Sequence, residues 1–219
     1  MQLCGHSVSP YFERVVIALD MKGALDQIEL AGVPGGFKSE THFSHHPMGK
    51  IPFLIKDDGT SLTEGQVIAE YLDRVLDGPD LTPHDFEDAT RARLIARILD
   101  LYYAEAVKPY GRMAFGGEAT DAEVEKAKSQ DIPAAFTYLE KYLGEGSRSV
   151  GDDWTLADAA LISHLYWYGA LKVRFGLEGY DAWPKLNAYW ETVKDTDIVL
   201  RSFDRVKKSY DEFFGGDDS

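Results

Sequence analysis

Pro52, at the head of the apolar run Phe53-Leu54-Ile55, constrains the fold of this chain more than any other residue. A proline has no N–H to give a neighbouring strand, so it suits a strand's first position and not a sheet interior. Cis peptides are almost confined to X–Pro bonds, and a cis Ile51-Pro52 bond turns the Ile51 N–H and C=O outward, free for a ligand. Before the strand lies His45-His46-Pro47-Met48-Gly49-Lys50; after it comes the helical pattern Gln66-Val67-Ile68-Ala69-Glu70-Tyr71-Leu72-Asp73. Glu64 and Gly65 fall at that helix's start, where unpaired backbone N–H groups seat a carboxylate. Together these segments predict a site for a small, extended, peptide-like anion.

The flanking chain supplies the scaffold. Residues 1–5 read as a short strand. Pro10 suits a first helical turn, Val15, Val16 and Leu19 continue an apolar face, and Lys22-Gly23 gives a basic last turn and a glycine cap. Ile28-Glu29-Leu30 is a second strand, and residues 31–50 are a long loop with one helical turn. A hairpin follows, with strands over 52–56 and 60–62 joined by Asp57-Asp58-Gly59, then a helix over 64–76. This order predicts a small mixed sheet with helices packed on it. Asp77-Gly78-Pro79-Asp80-Leu81-Thr82-Pro83 is a linker by composition. Beyond it the pattern is helical, with Leu94, Ile95, Ile98, Leu99 and Tyr102 on one stripe and another stripe over 122–143. Thr155 and Asp158 form a capping box, aspartate replacing the usual glutamate, before an alanine- and leucine-rich helix.

Charge narrows the partners. The net charge is −14, which argues against nucleic acid and anionic membranes. Within residues 1–56, Arg14, Lys22, Lys38, Lys50 and Lys56 balance Glu13, Asp20, Asp26, Glu29 and Glu40, so the excess lies in the remainder. An anionic ligand is received better by the first part. The longest apolar run, Val15-Val16-Ile17-Ala18-Leu19, is too short to span a bilayer. An opening without a basic or cleavable apolar segment predicts a cytoplasmic address. The single cysteine, Cys4, excludes an internal disulfide and a multi-thiolate zinc site, and reads as a small core residue. His42, His45 and His46 lack a carboxylate at ligand spacing, so no metal is expected.

Four features in order resemble the cytosolic glutathione transferase family over essentially the whole chain. Ser9-Pro10-Tyr11-Phe12-Glu13-Arg14-Val15 is similar to its first-helix motif, and Pro47-Met48-Gly49-Lys50-Ile51-Pro52 to its cis-proline motif. The segment from Thr63-Glu64-Gly65 to Leu72 resembles its γ-glutamyl-binding helix, and Thr155-Leu156-Ala157-Asp158 its capping box. The resemblance implies an α/β thioredoxin-like N-terminal domain over 1–78 and an all-α helical-bundle C-terminal domain over 85–219. It also implies a homodimer, glutathione as co-substrate and addition of its thiolate to an apolar electrophile, a detoxification chemistry. The alternatives are a narrow-substrate glutathione-dependent lyase, isomerase or dehalogenase, or a non-catalytic binding module.

The same resemblance assigns roles. Ser9, at a helix N-terminus whose partial charge favours a thiolate, donates a hydrogen bond to the glutathione sulfur. A serine there cannot form a mixed disulfide, which favours addition over reduction. Ile51 and Pro52 hold the cysteinyl backbone, Glu64 and Gly65 meet the γ-glutamyl end, and Lys38 and Lys50 neutralise the glycyl carboxylate. Where this chain has Gly65 the family usually has serine. The missing hydroxyl is worth at most about 1.5–3 kcal/mol, so Gly65→Ser is expected to tighten glutathione binding. Tyr102, Tyr103, Tyr110, Met113, Phe115 and Trp167 are the candidates for the electrophile pocket.

Overall fold

The structure, a computed structural model, describes residues 1–214. The chain divides into two compact units, one of residues 1–82 with the chain from Thr196 onward, the other Pro83–Asp195.

The first unit is built on β1 (Gln2–Cys4), β2 (Glu29–Ala31), β3 (Phe53–Ile55) and β4 (Ser61–Thr63), in the order β2-β1-β3-β4. β1 runs parallel to β2 and antiparallel to β3, and β3 pairs antiparallel with β4. Leu3 stands opposite Leu54, and both are fully buried. Helix α1 (Pro10–Lys22) starts at Pro10 and stops at Gly23, whose φ of 69° is left-handed. Its residues 12–19 are all buried, and it packs on α3 (Gly65–Val75). The helical turn expected within the 31–50 loop is α2 (Glu40–His45), capped by the Ser39 hydroxyl, which accepts the His42 N–H at 3.0 Å.

The linker is fastened more firmly than its composition suggests. Asp73, 4% exposed on α3, accepts the Lys22 ammonium at 3.1 Å, the Leu81 N–H at 2.9 Å and the Thr82 N–H at 3.0 Å. Lys22 also donates to the Pro79 carbonyl at 2.8 Å.

Residues 85–219 were expected to form one helical domain, but the last helix, α10 (Asp197–Phe214), packs on α1 of the first unit. The physical reason is a polar clamp. Arg205 donates to Glu13 at 3.0 Å and to Asp20 at 3.1 Å. Arg201 grips Asp20 with two bonds, at 3.0 and 2.8 Å, and the Ser202 hydroxyl donates to Glu13 at 2.7 Å.

The second unit holds α4 (Phe86–Ile98), α5 (Ala104–Ala114), α6 (Asp121–Lys126), α7 (Ile132–Tyr142), α8 (Leu156–Phe175) and α9 (Pro184–Val193). A π-helical turn, Leu99–Tyr103, joins α4 to α5. Ile95, Ile98, Leu99 and Tyr103 are buried, while Leu94 and Tyr102, expected on that stripe, are 37% and 53% exposed. The capping box forms as expected, since the buried Asp158 accepts the Thr155 N–H at 2.8 Å and the Ser149 N–H at 2.8 Å. Among the described residues no helix is long and apolar enough to cross a membrane.

Candidate functional site

Ser9 is the residue from which α1 starts. Its hydroxyl oxygen accepts the Phe12 N–H at a long 3.4 Å, and its carbonyl takes the Glu13 N–H at 2.9 Å. Capping of this kind uses a lone pair of the hydroxyl and leaves its proton to donate elsewhere. The 13-residue helix behind it directs the positive end of its dipole at the same place. Gly5 makes room for this turn: at φ 151°, a Cβ there would stand 2.4 Å from the Phe12 ring. Cys4, on the strand leading to the site, is buried, and burial with the Glu29 charge pushes its thiol up to about 11. It is therefore no competitor for thiolate chemistry.

The Ile51-Pro52 bond is cis. Ile51 lies outside β3, and its backbone makes no hydrogen bond to other backbone among the described residues. Glu64 caps α3 with φ 72°, an uncommon value for a residue with a side chain, and its carboxylate makes no capping bond. The first N–H groups of α3 are thus left uncapped by it.

Gly65 is where these parts meet. A Cβ on it would stand 2.6 Å from the Tyr11 carbonyl oxygen and 3.5 Å from the Pro52 ring. The first turn of α1, the proline strand and the start of α3 are packed together at this one residue. The expectation that serine at 65 simply adds a hydroxyl is corrected by this contact: a side chain there displaces backbone.

Lys38 and Lys50 are exposed, and neither pairs with a carboxylate among the described residues. Lys38 holds a left-handed φ of 58°. The three histidines are not gathered as ligands. His42 and His45 stack on the Phe53 ring at 5.5 and 5.6 Å, and His46 meets it edge-on at 6.4 Å. Burial holds the His46 imidazole below the usual histidine range, opposed by the Glu64 charge. Sequence reasoning weighed these residues only as metal ligands; the signal it missed was the aromatic Phe53 between them.

In the second unit the pocket candidates separate into two groups. Tyr103 and Tyr110, 1% and 2% exposed, belong to an aromatic core: Tyr103 stacks with Phe136 at 5.9 Å, and Tyr110 meets Phe175 at 5.4 Å. Their burial keeps them from a surface ligand. Tyr102 and Phe115 are 53% and 52% exposed, Met113 and Trp167 half-buried, and the Phe115 and Trp167 rings lie 5.7 Å apart.

This arrangement, a four-stranded mixed sheet with a helix-capping serine and a cis-proline strand, followed by a helical unit, defines a class of glutathione-handling folds. The family model for the glutathione S-transferase N-terminal domain matches residues 3–79, and that for the C-terminal domain matches residues 98–197. A probable glutathione S-transferase of Nicotiana tabacum is 30% identical over 177 residues, 80% of this chain and 74% of the relative. A glutathione S-transferase domain-containing protein of Marinobacter aquaeolei superposes with TM-score 0.74 at 25% identity, covering 91% of this chain and 100% of the other. A maleylacetoacetate isomerase of Methylobacterium extorquens with bound malonate and glutathione gives 0.71 at 26%, covering 92% and 95%. The chain belongs to the glutathione S-transferase family.

Proposed function

We propose that this protein binds glutathione on its first unit, ionises the thiol beside Ser9 and adds the thiolate to an apolar electrophile. With a chlorinated nitroarene, the S–C bond forms, the C–Cl bond breaks, chloride leaves with the electron pair and the thiol proton passes to solvent. The observation that carries this reading is Ser9, whose cap on α1 uses a lone pair and leaves its proton for a sulfur at the helix N-terminus. Supporting it are the backbone of Ile51 beside Pro52, the start of α3 at Glu64 and Gly65, which the Glu64 side chain does not cap, and the exposed Lys38 and Lys50. Tyr102, Met113, Phe115 and Trp167 are the residues proposed to meet the electrophile. A homodimer working in the cytoplasm goes with this reading, as is typical of the family.

A second reading, isomerisation with the same thiolate, draws on the similarity to the isomerase of Methylobacterium extorquens. Calorimetry with glutathione, followed by turnover of a chlorodinitrobenzene-type electrophile by wild type and Ser9→Ala, separates them. Binding with turnover that falls in Ser9→Ala supports conjugation. Binding without turnover supports the narrow-substrate enzyme or a binding module, and no binding at millimolar glutathione overturns both.

A further inference from the structure

His42 joins the backbones of the two lysines. Its Nδ1 lies 3.0 Å from the Lys38 backbone N, and its Nε2 lies 2.9 Å from the Lys50 carbonyl oxygen. A backbone N–H can only donate and a backbone carbonyl can only accept. One neutral tautomer satisfies both: a lone pair on Nδ1 and the proton on Nε2. The imidazolium form would turn an N–H against the Lys38 N–H, so this link exists only with a neutral ring. The ring is fully buried and fixed on several sides, stacked on Phe53 and edge-on to Phe37 at 5.8 Å. Helix α2 carries it, and the Ser39 cap accepts the backbone N–H of His42.

We propose that His42 is a positioning residue for the anion subsite formed by Lys38 and Lys50. The inference rests on the glutathione reading above and concerns the end of the ligand that carries the glycyl carboxylate. Lys38 and Lys50 lie in separate exposed segments and repel one another, and Lys38 keeps a left-handed backbone that a side chain disfavours. The imidazole ties the amide of one to the carbonyl of the other, so that both ammonium groups converge on a single carboxylate. The carbonyl it holds is that of Lys50 itself, so the link acts on the position of that lysine's backbone.

The test compares glutathione with its glycyl monoethyl ester, which lacks only that carboxylate charge, by calorimetry on the full chain. Wild type is expected to prefer glutathione by about tenfold or more, the loss of one charge-assisted contact. His42→Leu is expected to weaken glutathione by about tenfold and leave the ester unchanged, erasing the preference. His42→Asn keeps an acceptor near the Nδ1 position and His42→Gln a donor near Nε2, so each should restore part of it. These two variants carry the test if the leucine variant does not fold. Equal weakening of both ligands in the variants would mean a merely structural histidine and overturn the inference. Wild type that binds glutathione but does not distinguish the ester would overturn it through the lysines. Wild type that binds neither ligand overturns the glutathione reading itself.

Discussion

Adding a side chain at Gly65 sets two effects of similar size against each other. A serine hydroxyl at the γ-glutamyl end of the ligand is worth at most about 1.5–3 kcal/mol. Its Cβ, however, would stand 2.6 Å from the Tyr11 carbonyl oxygen, 0.8 Å short of the 3.4 Å at which ordinary contact begins (3.4 less 2.6). The obstructing atom is backbone inside α1, not the far end of a flexible side chain, so relief requires the first turn of α1 or the start of α3 to move. Overpacking of this kind costs about 1–3 kcal/mol, and the helix propensity regained on replacing glycine is about 1 kcal/mol at most. The first turn of α1 carries Ser9 and the start of α3 carries Glu64, so a displacement of either falls on the proposed site. Urea unfolding of Gly65→Ala and Gly65→Ser should therefore show a loss of about 1–2 kcal/mol, and calorimetry should show glutathione bound no more tightly by the serine variant. A serine variant of wild-type stability with tighter glutathione binding would refute the close approach and restore the simpler account of a missing hydroxyl.

Two other perturbations test the first unit. Lys22→Met strands a carboxylate at Asp73 that is 1% exposed, so urea unfolding should show a loss of about 3–5 kcal/mol; a change under about 1 kcal/mol would contradict the buried pair. Burial raises the Glu13 carboxyl above its ordinary 4.5, with Arg205 and the Ser7 and Ser202 hydroxyls opposing. The folded state then holds this proton to higher pH than the unfolded one, so the residue's contribution falls as pH rises above that value. Wild type should lose stability relative to Glu13→Gln between pH 4.5 and neutrality, measured by unfolding at both ends; the opposite slope would show that Arg205 outweighs burial.

Much of the first unit was legible because its signals are local. Pro10, Gly23 and the Asp57-Asp58-Gly59 turn mark element ends through backbone chemistry that depends on one or two residues, and the elements begin and end within a residue or so of them. What escaped was non-local. Nothing in the spacing of Ile98 and Tyr102 reveals the π-turn, or that Tyr103 is the buried ring and Tyr102 the exposed one. The clamp of α10 on α1 joins residues 13 and 20 to 201 and 205 across almost the whole chain. Likewise Gly65 could be read as a lost hydroxyl, but only its distance to Tyr11 shows what the glycine permits. The sequence suggests no role for His42, because its two partners are backbone atoms, to which sequence gives no clue.

The most direct test of the account is the ionisation of bound glutathione, followed through the ultraviolet absorbance of the thiolate as pH is raised. A free thiol titrates near 8.5, and Ser9 with the α1 N-terminus should bring the bound thiol down by about one to two units. Ser9→Ala should bind glutathione yet return the thiol most of the way to the free value. A bound thiol that titrates as in free solution, or one that stays low in Ser9→Ala, would contradict the assignment of Ser9.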